Sequence, residues 1–147
     1  MASSENRPLL LDVNALMALG WPNHQFHRAV VGRLERRPAA GWATCVLTQL
    51  GFVRLSSNPA VVGVRRTPAQ ALDVLARLVR DRRHRYVEPL PPLRQVETHF
   101  GHLLGHQQVT DAYLLAVAVT NNATLLTLDR RLAPLAATRA HVEVIMP

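Results

Sequence analysis

Two apolar runs that break off at an aspartate, Leu9-Leu10-Leu11-Asp12 and Leu125-Leu126-Thr127-Leu128-Asp129, constrain this chain more than anything else in it. Runs this short and this apolar suit strands buried on both faces, and such strands belong to parallel sheets covered by helices. The stretches between the strands read as helices. Strand and helix therefore alternate, which argues for an open, largely parallel α/β sheet. In such sheets ligands collect outside the carboxyl ends of the strands, where Asp12 and Asp129 both fall.

The spacing predicts a strand over 8–13 and a helix over 14–20. A second helix runs from His24 to Arg37, with Phe26, Val30, Val31 and Leu34 on one stripe, and Pro38 and Gly41 end it. Trp42–Val46 is the next strand, after which Thr48 caps a helix carrying Leu50, Phe52, Val53 and Leu55 to about Ser57. Thr67-Pro68 opens a helix reaching about Asp81, and Arg85–Val87 reads as a brief strand. Pro89–Pro92 is a rigid connector, 93–104 a weaker helix and Gly105 a turn. An apolar helix then runs from Asp111 to about Asn121, with strands over Thr124–Leu128 and Val142–Ile145 after it. A chain of 147 residues so patterned is expected to be one domain over 1–147, with residues 1–7 a flexible tail.

All 17 basic residues are arginine and the formal net charge is +7, so RNA or DNA is an expected partner, because the planar guanidinium suits phosphate. Arg77, Arg80, Arg82, Arg83 and Arg85 crowd one helix end around Asp81 and His84; a solvated helix end and a polyanion-binding patch both fit. No apolar run reaches the roughly 18 residues of a membrane span. The first residues lack the charged-then-apolar order of a signal peptide. The single cysteine, Cys45, cannot form an internal disulfide and reads as a small residue of a buried strand. A cytoplasmic protein without a membrane partner is the expectation. There is no Gly-x-Ser-x-Gly elbow or Walker-type glycine loop to support nucleophilic serine or P-loop chemistry. Trp21, Trp42, Tyr86 and Tyr113 do not interleave with basic residues as a stacking platform does, and read as core or interface residues.

Three acids stand apart from the helices and tail that carry most of the others: Asp12, Asp111 and Asp129. Each has an ordinary explanation. Asp12 and Asp111 can cap helices, and Asp129 can pair with Arg130 or Arg131. Together they suggest a cation, since carboxylates gathered at the rim of an apolar sheet are costly unless something positive joins them. Mg²⁺ prefers carboxylate oxygen and water. His24 and His27 are three apart, and His99, His102 and His106 three and four apart. Zinc fits such spacing, but no further ligand completes the first pair, for which helix packing is the competing role. Contact with RNA phosphate is the competing role for the second set.

Several short motifs recur in a familiar order: Leu11-Asp12-Val13-Asn14-Ala15-Leu16, Asn23-His24-Gln25-Phe26-His27-Arg28-Ala29, Thr48-Gln49-Leu50-Gly51-Phe52-Val53-Arg54-Leu55, Val109-Thr110-Asp111-Ala112-Tyr113-Leu114-Leu115 and Leu126-Thr127-Leu128-Asp129. By these the chain resembles, over nearly its whole length, the PIN-domain ribonucleases, and within them the VapC-type toxins of bacterial toxin–antitoxin pairs. The resemblance implies a PIN-like three-layer α/β fold with a central, mainly parallel sheet flanked by helices. It implies Asp12, Asp111 and Asp129 as catalytic metal ligands for Mg²⁺ or Mn²⁺, with Thr127 at a hydroxyl position that accompanies the last acid. One position departs: the family's usual glutamate is Gln49 here, which keeps an oxygen but loses the charge. Gln49, Thr127 and Asn14 are expected around the metal's ligands, Arg54 and Arg130 at the RNA, and Glu88 is an alternative source of the missing charge.

The function so implied is a metal-dependent endoribonuclease acting as a toxin, with an RNA substrate, a cognate antitoxin and a homodimeric state. Gln49 motivates a different reading, a catalytically weak or inactive PIN scaffold that binds nucleic acid or protein. A metal-dependent phosphatase of small substrates would use the same acids without salt-sensitive RNA binding.

Overall fold

The structure is a computed structural model that describes residues 6–36, 39–100, 105–135 and 141–146. Five strands form one sheet: β1 (Leu9–Leu11), β2 (Trp42–Thr44), β3 (His84–Tyr86), β4 (Thr124–Thr127) and β5 (Val142–Val144). Their order is β3-β2-β1-β4-β5, and every ladder is parallel. The helices are α1 (Val13–Gly20), α2 (His27–Glu35), α3 (Val46–Ser56), α4 (Pro59–Val62), α5 (Pro68–Leu78) and α6 (Val109–Thr120). Tight 3₁₀ turns cover Leu93–Phe100, His106–Gln108 and Arg130–Leu135.

Alternation along each strand assigns the two helical layers. Leu9, Leu11, Trp42 and Leu126 face α1, α2, α3 and α5, where Leu16, Val30, Phe52 and Leu75 complete one core cluster. Leu10, Ala43 and Leu125 face the opposite way onto Leu114, Leu115, Val117 and Ala118 of α6. The mainly parallel three-layer sandwich expected from the alternating pattern is what forms.

The central strand β1 has β2 on one side and β4 on the other, so the chain's path across the sheet reverses there. Such a switch point opens a crevice at the strands' carboxyl ends. Asp12 follows β1 and Asp129 lies two residues beyond β4, so both stand at that rim.

Several boundaries differ from the expected ones. The second helix begins at His27 rather than His24, because the His24 Nδ1 accepts the Phe26 N–H and holds a local turn. Its expected end at Arg37 lies outside the described residues. The third helix begins at Val46. Thr48 is not its cap but sits one turn in, where its hydroxyl accepts the Cys45 N–H at 3.1 Å. Cys45 is buried and unbonded, as expected, but it caps α3 instead of continuing β2. The short α4, capped by Asn58, was not anticipated. Residues 101–104 of the expected weaker helix lie outside the described part, and 93–100 is 3₁₀. Arg7, expected in the tail, lies within 3.5 Å of His141. Among the described residues no helix is long and apolar enough to cross a membrane.

One close approach sets α1's start. A Cβ on Gly51 of α3 would lie 2.5 Å from Val13 Cγ2, the residue after Asp12. Val13 is β-branched and cannot swing aside cheaply. Gly51→Ala is expected to lose about 1–2 kcal/mol, overpacking outweighing the gain in helix propensity. That lowers the thermal midpoint by roughly 3–6 °C. A midpoint equal to or above wild type would show that this crossing has slack.

Candidate active site

Asp12 is built in from both sides. Its backbone N–H donates to Leu126 O at 3.0 Å, the last rung between β1 and β4. Its side chain caps α1, with Oδ1 accepting the Ala15 N–H at 2.7 Å. It is therefore the helix cap that the local sequence allows, and it is also only 2% exposed. Burial pushes its pKa up to about 7; hydrogen bonds from the Thr127 hydroxyl and the Ala15 N–H oppose this, while the charges of Asp111 and Asp129 add to it.

Thr127 is buried at the end of β4 and serves two acids. Besides reaching Asp12, its hydroxyl oxygen accepts the Asp129 N–H at 3.0 Å, fixing the turn out of the strand. Of its two competing readings, the one beside the last acid matches these contacts.

Asp111 does not open its helix. It is the third residue of α6, in the first turn, where the helix dipole favours negative charge. Its pKa is raised to about 6, by burial first and then by the Asp129 charge, with Arg131 opposing. The three acids thus act on one another electrostatically across more than a hundred residues of chain.

Asp129 is held differently. Arg131 closes on it as a fork, with Nη2 to Oδ2 at 2.9 Å and Nε to Oδ1 at 3.0 Å, while the Arg131 N–H donates to Oδ1 at 2.9 Å. This pair holds the Asp129 carboxyl below its ordinary value. Among the described residues no three Asp, Glu, His or Cys side chains are arranged to hold a metal ion. Arg131, rather than Arg130, is the residue that enters this cluster. The signal was the Asp-x-Arg spacing, which lets an aspartate catch the N–H two residues on and bring the guanidinium back.

Gln49 bonds to the end of β2. Its amide nitrogen donates to Thr44 Oγ1 at 3.0 Å, and that hydroxyl lies 2.7 Å from His84 Nε2. Gln49 is thus tied to a chain running across β2 to β3. Glu88 is exposed, and its charge is not among those that shift the three aspartates. Asn14 is exposed on the first turn of α1, Arg54 is exposed in the last turn of α3, and Arg130 is exposed beside Asp129.

Among the described residues the histidines do not gather a metal. The His27 Nδ1 bonds Ala18 O at 2.7 Å, a helix-packing role. His102 and the side chain of His99 lie outside the described residues, and His106 is exposed. The arginine cluster faces away from the acids. Arg83 O accepts the Trp42 N–H at the start of β2, the rim opposite the strand ends that carry Asp12 and Asp129. Arg83 is itself paired with Asp81 at 2.9 Å, which holds the Asp81 carboxyl down to about 2.

Fold and rim together define a parallel α/β domain with an acidic switch point. A family model for the PIN domain matches residues 9–137. The chain is 38% identical over 137 residues to Ribonuclease VapC39 of Mycobacterium tuberculosis strain H37Rv, covering 92% of this chain and 98% of that one. It is 38% identical over 135 residues to Ribonuclease VapC38 of the same strain, covering 92% and 94%. Among solved structures it resembles VapBC2 from Rickettsia felis bound to a promoter DNA fragment, with TM-score 0.64 and 14% identity over 94% of this chain and 98% of that one; this likeness concerns the fold. The chain belongs to the PIN-domain family.

Proposed function

We propose that the chain is a metal-dependent endoribonuclease acting as the toxin of a toxin–antitoxin pair in the cytoplasm. The observation that carries this reading is Asp12, a buried carboxylate whose pKa is raised by burial and by Asp111 and Asp129 at the sheet's switch point. Its hydrogen-bond partners there, the Ala15 N–H and the Thr127 hydroxyl, are neutral. Such a group fits a divalent cation, and three carboxylates form the hard oxygen set that Mg²⁺ or Mn²⁺ takes. Asp12, Asp111 and Asp129 would hold it, with Asp129 exchanging Arg131 for the ion.

A bound Mg²⁺ or Mn²⁺ supplies Lewis acidity at a phosphodiester and makes water a better nucleophile at neutral pH. The protein's own part is to orient and to hold charge. Thr127 fixes the Asp12 carboxyl and the Asp129 backbone relative to each other. Arg131, which holds Asp129 here, could offer its guanidinium to a phosphate if an ion took its place. The relatives named as VapC ribonucleases support RNA as substrate, and the VapBC2 complex supports an antitoxin partner. A homodimer follows from the family resemblance.

The test is cleavage of single-stranded RNA by the purified chain. We expect activity that requires Mg²⁺ or Mn²⁺, disappears in EDTA, and falls steeply between 50 and 200 mM salt, roughly the range over which phosphate contacts are screened. RNA binding without cleavage under any of these ions would favour the binding-module reading that Gln49 motivates.

A further inference from the structure

Beside the acidic rim, α1 walls a cavity of about 220 Å³ that none of the roles above uses. Asn14, Met17 and Trp21 line it from one face of the helix, at steps of three and four. Asn14 lies two residues past Asp12, and from there to Trp21 the wall extends about 10 Å at roughly 1.5 Å per residue. The cavity therefore runs along α1 from its first turn, the end of the helix that Asp12 caps. Asn23, His24 and Arg66 close its other sides.

The aromatic wall is held rigidly. The Trp21 ring lies parallel to Phe52, with centroids 5.9 Å apart, and its Nε1 donates to Ser56 Oγ at 2.8 Å. The Arg66 guanidinium sits 4.0 Å from the indole centroid. A guanidinium stacked in this way keeps its N–H donors in its own plane, where they can meet the edge of a base or a phosphate. His24 accepts the Phe26 N–H at Nδ1, so the neutral ring carries its proton on Nε2 as a donor. Asn14 and Asn23 each add an amide donor and an acceptor.

The Arg66 guanidinium plane beside aliphatic Met17, Val61 and Val62, with donors and acceptors at the edges, is a surface on which an unstacked base of single-stranded RNA can stack. A second hollow of about 300 Å³ adjoins at Arg66, lined also by Arg65, Thr67 and Gln70. It offers positive charge where the strand would continue. We propose that the α1 cavity receives one unstacked nucleobase of the RNA, with Arg65 and Arg66 taking the phosphate beyond it. This rests on the ribonuclease reading.

The experiment is fluorescence anisotropy of labelled single-stranded RNA oligomers of different base composition, in EDTA so that nothing is cleaved. Wild type is expected to prefer one base. Arg66→Ala and Asn23→Ala should each weaken the preferred oligomer about tenfold and flatten the preference. Arg77→Ala, which removes the same charge at the far end of α5, should cost about twofold or less. Asn23 is exposed at the cavity's edge, so its variant removes a lining amide without cutting into the buried core. Losses in both variants no greater than in Arg77→Ala would overturn the proposal, as would an unchanged base preference. Unchanged RNA affinity with lost antitoxin binding would assign the cavity to a protein contact and overturn it too. Cleavage by wild type in Mn²⁺ that vanishes in Asp12→Asn would leave the ribonuclease reading standing if the pocket fails. Absence of RNA binding by wild type would remove both.

Discussion

Asp12→Asn is expected to abolish RNA cleavage, by roughly a thousandfold or more, while leaving the chain folded. The separation of these effects follows from the two jobs of this side chain. As a cap it needs only an oxygen to accept the Ala15 N–H, and asparagine supplies one equally well. As a site residue it needs a charge, which asparagine lacks. Removing that charge from a position only 2% exposed also removes a desolvation cost, so the variant should be at least as stable as wild type above pH 7. Circular dichroism melts and cleavage assays on the same preparation read both outcomes. Cleavage at the wild-type rate by a folded variant would exclude Asp12 from the chemistry and take the proposed site with it.

Stability should fall as pH rises from about 4 to about 7, and divalent ions should reverse that fall. The folded pKa of Asp12 is about 7 and that of Asp111 about 6, against 3.8 in the unfolded chain. Over this window the folded state keeps protons that the unfolded state has released, so raising pH favours unfolding. Above the folded values the loss is complete and the curve levels. For Asp12 alone the loss is on the order of 4 kcal/mol. Asp129 works in the opposite sense: Arg131 lowers its pKa, so its contribution is present at neutral pH and is lost on acidification.

A cation that binds the ionised acids stabilises only the folded chain. Mn²⁺ at about a hundred times its dissociation constant should add about 2.7 kcal/mol, raising the midpoint by roughly 5–10 °C at pH 8. At pH 5, where Asp12 and Asp111 hold their protons, the increment should nearly vanish. Asp12→Asn should lose the increment and flatten the pH dependence. A shift of equal size at pH 5 and pH 8, or one retained in Asp12→Asn, would mean that the ion binds somewhere else.

Much of this protein was legible along the chain. The triple leucine before Asp12 and the apolar run before Asp129 read as strands because nothing polar interrupts them. Thr67-Pro68 announced α5, and Thr67 does cap it, accepting the Gln70 N–H at 3.1 Å. Errors fell at ends, where one hydrogen bond decides: His24 holding a turn, or Cys45 rather than Thr48 capping α3.

Position added what composition left open. The arginine-rich stretch around Arg83 fitted a solvated helix end as well as a polyanion patch, and parallel pairing puts Arg83 at the strands' starting ends, opposite Asp12 and Asp129. The cation that meets Asp129 is Arg131, the arginine at the Asp-x-Arg spacing, and not its neighbour Arg130. Gln49, expected around the metal's ligands, donates to Thr44, whose hydroxyl in turn meets His84.

By itself, then, the order of residues indicated most of the elements, the parallel character of the sheet and three aspartates as candidates, because each reading depends on neighbours within a few positions. The tertiary structure decided that β1 lies between β2 and β4, which brings residues 12, 111 and 129 into one electrostatic field. It also decided which arginine answers them and where the α1 cavity opens. Those outcomes depend on strand order and on packing between distant segments, and local periodicity carries no record of either.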